Sequence, residues 1–226
     1  MKWLIDLLTS TIGRKVLMAL SGIFLILFLA VHLAGNLQLL KNDGGESFNT
    51  YAAFMSSNPL IQVVSKVNFG LILLHVVVAI LLTRRNRSAR GPVGYQEKSG
   101  KSSAWSSRNM GILGTILLVF IVIHLKDFWA VMHFDEGMKT VSIAGTEFRD
   151  IYSVVDVWFG KGWYVALYVF CMAAVGFHLW HGFASAFQSL GLNHLKYNGI
   201  INFVGKAFAV IVPLLFAAIP VIMYLR

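Results

Sequence analysis

The sequence predicts an all-α membrane protein with five transmembrane helices, and two observations predict it. Of the 226 residues, 57% are hydrophobic and only 13% charged, about half the charged share of an ordinary soluble domain. A soluble fold of this size has too little interior to hide so much apolar surface. The apolar residues are also gathered into five runs, each long enough to cross a bilayer, which takes ~20 residues in a helix. An aromatic content of 13% excludes disorder. The single cysteine, Cys171, excludes a disulfide framework.

The runs cover 16–40, 60–83, 110–132, 162–190 and 201–224. They leave no room for a separate soluble domain, so 1–226 is expected to form one membrane domain. No ordinary signal peptide is expected, because the first run outlasts a signal's apolar core and no small-residue cleavage site follows it. Ahead of it, Met1–Thr11 carries Trp3, Leu4, Leu7 and Leu8 at helical spacing, which predicts a short helix in the membrane interface. Glu46–Ser56 is a second candidate for the same role. The longest polar stretches, Arg84–Arg108 and Phe134–Lys161, are expected to be loops. No internal repeat, phosphate-binding glycine loop or low-complexity tract is present.

The net charge of +9 does not signal nucleic acid, because the basic residues fall in short loops between apolar runs. There they report topology. Arg84, Arg85, Arg87, Arg90, Lys98, Lys101 and Arg108 share one loop with a single acid, Glu97, and Lys2, Arg14 and Lys15 precede the first run. Five spans put both regions on the same side, which is therefore cytoplasmic. The N-terminus lies inside and the C-terminus outside. Asp43, Glu46, Asp127, Asp135, Glu136, Glu147, Asp150 and Asp156 then fall toward the outside.

Ionisable side chains are costly inside a bilayer and usually functional. The first four runs each carry histidine near the middle: His32, His75, His124 and the pair His178/His181. The fifth carries none, and His133 and His194 fall at span ends, where solvation explains them. One histidine in a span needs no more than a hydrogen bond to a neighbouring helix. Four successive spans with one each point to ligation, since neutral imidazole is a common metal ligand and haem iron takes axial histidines in pairs. A rise of ~1.5 Å per residue sorts them by depth: His32 and His124 lie roughly 27 and 24 Å from the inner side, His75 roughly 13 Å, and His178 and His181 roughly 20 and 15 Å. Spans one and three thus hold an outer pair and spans two and four an inner pair. The two levels are separated by roughly 10 Å on the same rise. Depth does not choose between His178 and His181. Gly35 and Gly182 lie on the helical faces of His32 and His178 and leave space for a bulky planar ligand or for close helix packing.

Three stretches carry a family resemblance: Gly13-Arg14-Lys15 with Ala19-Leu20-Ser21-Gly22, then His32-Leu-Ala-Gly35-Asn36-Leu37, then His178-Leu-Trp-His181-Gly182-Phe-Ala-Ser185 with Leu190-Gly-Leu-Asn-His194. In this order, over nearly the whole chain, they resemble the cytochrome b membrane-anchor subunit of succinate:quinone oxidoreductases. These are the succinate dehydrogenases and fumarate reductases of respiratory complex II, and the resemblance is to the single-chain, two-haem bacterial type. The resemblance implies a first-four-helix bundle holding two haems b. His32 and His124 would ligate the outer haem and His75 and His178 the inner one, since the first histidine of His-x-x-x-Gly is the ligand. It implies a flavoprotein and an iron–sulfur subunit as partners on the cytoplasmic face of a bacterial membrane. The chain itself lacks flavin and cluster motifs, so it holds no succinate chemistry of its own.

Quinone, commonly menaquinone in this type, would be the electron partner. Near the outer haem its site would draw on Glu46, Asp43 and Tyr51, with Asn36 and Gln38 nearby. On the inner side, Ser10 and Arg14 resemble the quinone-contacting Ser-x-x-x-Arg of two-subunit anchors. Two other readings fit parts of the pattern. One is a haem b anchor for a hydrogenase or formate dehydrogenase; the other is a haem-free proton-coupled transporter, which would want embedded carboxylates and an inverted repeat that are not evident here.

Overall fold

The computed structural model describes residues 2–90 and 105–226. Five of its helices are long and apolar enough to span a membrane, and the chain is an all-α multi-pass membrane protein. A short helix α1 (Lys2–Thr9) precedes α2 (Thr11–Asn36), which a 3-10 turn (Leu37–Leu40) prolongs. Next come α3 (Glu46–Ser57) and α4 (Pro59–Arg90). After 91–104, a single turn α5 (Trp105–Arg108) leads to α6 (Met110–His124), a π turn (Leu125–Ala130) and α7 (Val131–Phe134). A hairpin β1 (Thr140–Ile143) and β2 (Thr146–Arg149), α8 (Ile151–Phe159), α9 (Gly162–Ser189) and α10 (Leu195–Leu225) complete the chain.

Capping sets where the spans begin. Ser10 Oγ accepts the Gly13 amide at 2.9 Å, so α2 starts five residues ahead of its apolar run. The Asn58 side chain accepts the amides of Leu60 and Ile61, with Pro59 as first helical residue. His194, foreseen as a solvated end residue, caps α10 by accepting the Lys196 amide at 3.1 Å and draws that helix out to Leu195. The expected Arg84–Arg108 loop is in part helix: Arg84, Arg85 and Arg87 continue α4. Glu97, Lys98 and Lys101 lie outside the described residues, as do the side chains of Trp3, Leu4, Leu7, Leu8 and Arg90.

Four helices close a ring. α2 packs on α4, α4 on α6, α6 on α9 and α9 on α2, while α10 lies against α9 and α2. α9 carries the most buried face, including Tyr164, Tyr168, Cys171, Met172 and Leu179. The outer faces of α2, α4 and α6 expose Leu27, Val31, Leu73, Val77, Val119 and Val122. Such a face suits acyl chains, which are as apolar as the side chains themselves.

One end of the ring is capped by structure that the polar composition of Phe134–Lys161 did not foretell. β1 and β2 pair antiparallel, with Ile143 opposite Thr146 across a two-residue turn. Ala144 and Gly145 take φ of 51° and 79° there, as a hairpin's right-handed twist requires. α3 docks on this cap. Asn49, 2% exposed, donates to Asp150 Oδ1 and accepts the Tyr152 amide, both at 2.9 Å. Gly45, at φ 89°, precedes α3, and a Cβ there would stand 2.2 Å from the Tyr152 ring, so only glycine fits. Arg226 donates to the carbonyls of Leu39 and Leu40, tying the end of α10 to the end of α2.

Candidate functional site

Neighbours around the ring pack closely; the diagonals, α2 with α6 and α4 with α9, are not among the close-packed pairs. The histidines reach across those diagonals. His32 on α2 meets His124 on α6 with ring centroids 5.8 Å apart and planes at 87°. His75 on α4 meets His178 on α9 at 6.3 Å and 60°. It is His178, not His181 one turn on, whose ring faces His75. An ion held by two imidazole nitrogens at ~2 Å each sets their ring centroids roughly 6 Å apart. Among the described residues the ligand-type side chains meet in twos, with no cluster of three or more.

Cross-contacts fix the two levels. Ser21 on α2 meets His75, and His32 is eleven residues further along α2. Tyr168 on α9 meets His124, and His178 is ten residues further along α9. Two independent helices thus give a separation of about 15 Å at 1.5 Å per residue. This is longer than the roughly 10 Å expected from the inner anchors of the spans.

Hydrogen bonds choose the tautomer at one ring of each pair. Ser21 Oγ lies 2.8 Å from the Leu17 carbonyl and 3.1 Å from that of Met18, so its one proton is committed to the backbone. Its oxygen therefore accepts from His75 Nδ1–H at 3.0 Å, leaving the lone pair on Nε2. His124 Nδ1 is likewise engaged, 3.0 Å from the Tyr168 hydroxyl. Such partners orient ligating imidazoles. Two buried polar atoms have no partner among the described residues, His178 Nδ1 on α9 and Asn68 Oδ1 on α4. Aromatic rings line the other diagonal: Phe28 stacks on His32 at 5.2 Å, Phe216 lies 5.8 Å from it, and Phe120 and Phe128 flank His124. The donor set, imidazoles facing in pairs with aromatic rings around His32 and His124, fits haem iron with two axial histidines.

The glycines divide. A Cβ at Gly182 meets no atom within 4 Å, and one at Gly22 approaches only His75 Cε1, at 3.6 Å. Gly35 is different: a Cβ there would stand 2.3 Å from the Tyr51 ring, so this glycine admits α3 rather than a ligand.

The quinone candidates separate to the two ends. Asp43, Glu46 and Tyr51 gather around α3 at the hairpin end, and Ser10 and Arg14 start α2 at the other. Asp43 accepts the Gly45 and Ser47 amides, both at 3.1 Å, and caps α3. Hydrogen bonding to Ser47 holds its carboxyl below the usual range. Glu46 is exposed at the first position of α3. Tyr51 packs one turn past His32, and burial pushes its phenol up.

The sequence reading missed Ser21, Tyr164, Tyr168 and the burial of Asp127. Hydroxyls are common in spans, and their proximity to a histidine leaves no mark in the order of residues. Tyr164 and Tyr168 do share a helical face at i, i+4, which is the one signal available. Comparison of the chain with protein-family models, with curated proteins and with solved structures gave no match.

Proposed function

We propose that the chain is the dihaem cytochrome b membrane anchor of a bacterial succinate dehydrogenase or fumarate reductase, passing electrons between an iron–sulfur subunit and membrane quinone. The observation that carries this reading is the pair of bundle diagonals, each closed by two facing imidazoles, at levels about 15 Å apart by the helical rise. His32 and His124 hold one haem b, and His75 and His178 hold the other. When bound, the haems supply one-electron carriers at two depths of the bilayer.

The chain's own residues do the rest. Ser21 and Tyr168 fix the Nε2 lone pairs of His75 and His124 by accepting from Nδ1–H. Phe28, Phe120, Phe128 and Phe216 exclude water from the outer pair. The arginines that end α4 lie on the cytoplasmic side by the positive-inside rule and meet the iron–sulfur subunit there. Quinone, of the menaquinone type, takes its place at the hairpin end beside α3. Its reduction takes up two protons, and Glu46, exposed at the head of that helix, is the acid placed to exchange them.

Affinity purification of the chain from its native membrane tests the assignment. A flavoprotein and an iron–sulfur protein should come with it, and succinate should reduce added quinone in the eluate. A hydrogenase or formate dehydrogenase in their place, or recovery of the chain alone, contradicts it.

A further inference from the structure

The third span carries a buried carboxylate that the histidine pairs do not use. Asp127 stands in the π turn three residues past His124 and is 3% exposed. Its Oδ1 is 2.6 Å from Lys126 Nζ, whose side chain is 69% exposed. Its Oδ2 accepts from the Tyr164 hydroxyl at 2.9 Å. The Tyr164 and Tyr168 hydroxyls are 3.4 Å apart, and Tyr168 meets His124 Nδ1 at 3.0 Å. The groups form one unbroken chain from an exposed lysine to a histidine of the hairpin-end pair. Phe120 and Phe159 pack on the Tyr168 ring at 4.9 and 5.1 Å, and Trp158 on Tyr164 at 4.8 Å. Sheltered from water, such hydrogen bonds strengthen one another.

The carboxylate gives the chain a direction. Its oxygens only accept, so the Tyr164 proton points at Asp127. The Tyr164 oxygen then accepts the Tyr168 proton, and the Tyr168 oxygen accepts from His124 Nδ1–H. A reversed chain would put the lone pair on Nδ1 and a proton on Nε2, the nitrogen that must bind iron.

We infer that Asp127, acting through Tyr164 and Tyr168, is the positioning residue of the His32/His124 pair, setting the tautomer of His124 and lending its ring negative charge. The inference rests on the reading that His124 ligates a haem. The other pair has no equivalent: His75 Nδ1 has a neutral hydroxyl partner, and His178 Nδ1 has none among the described residues. Negative charge on an axial ligand favours oxidised iron. The chain therefore lowers the potential of one haem and leaves the other alone.

The test is a redox titration of the intact complex carrying Asp127→Asn, Tyr164→Phe or Tyr168→Phe. The haem lost in His32→Ala identifies the signal to follow. Each variant should keep both haems and raise the potential of that one. Asp127→Asn should raise its reduction equilibrium about tenfold, or ~59 mV for one electron. The paramagnetic resonance signal of the same haem should shift, and the second haem should stay at its wild-type potential. Two haems with unmoved potentials in all three variants, or equal shifts at both haems, overturn the relay alone. A wild-type complex without haem overturns the ligation reading and the relay together.

Discussion

His178 and His181 differ by less than one helical turn, and only one of them faces His75. That difference is a sharp test of the proposed ligation. His178→Ala is expected to lose or convert one of two low-spin haems, while His181→Ala keeps both, as counted from optical and paramagnetic resonance spectra. Two low-spin haems in His178→Ala would move the role to His181. Glu46 makes a second single-residue case. It is exposed at the head of α3, whereas Asp43 beside it spends its carboxylate on capping amides. Glu46→Gln should keep both haems and the activity from succinate to an artificial acceptor, and slow electron transfer to quinone several-fold. Unchanged quinone turnover there, with loss of turnover on substituting Ser10 or Arg14, places the quinone at the opposite end.

The helices that position the histidines were legible in the sequence, and the cap that closes the bundle was not. Long apolar runs and an imidazole in lipid are signals of composition, which is why all five spans could be read and the histidines sorted into two levels; the choice of His178 over His181 came only from the family resemblance. The hairpin turn, Ala144-Gly145, lacks the asparagine or aspartate that marks such turns. Asp127 read only as one of the acids toward the outside, and its burial against Tyr164 in the π turn left no mark in the sequence. Gly35 read as room for a ligand or for close helix packing, and the Tyr51 ring of α3 takes that room. The cap also carries a pH dependence. Burial raises the Asp150 pKa, but hydrogen bonds from Ser153 and Asn49 outweigh it and leave the carboxyl below its usual range. A carboxyl depressed in the folded state stabilises it above the unfolded pKa and loses that contribution as pH falls through the folded one. The difference in melting temperature between wild type and Asp150→Asn should therefore be constant above about pH 5 and close below about pH 4. A difference that persists unchanged at pH 3 would show that the carboxylate charge plays no part.

Charge and hydropathy act over the full chain rather than at any one site. The arginines that end α4 stand on the face proposed for the soluble subunits. Exposed charges of this kind alter association and its salt dependence more than final affinity. Reversal of Arg84, Arg85 and Arg87 to glutamate should weaken capture of both soluble subunits, most visibly at low salt, while the haem spectra stay as in wild type. Capture that is unchanged at every ionic strength would leave those arginines as determinants of topology only. All of this depends on two haems seated across the bundle diagonals, and one measurement addresses that directly. The chain is purified from membranes of cells supplied with haem, reduced with dithionite, and its haem and protein are quantified together. Two b-type haems per chain are expected, falling to one in His32→Ala and in His75→Ala. A folded, membrane-inserted chain with no b-type absorbance would contradict the account and leave the histidines to a haem-free role such as proton transport.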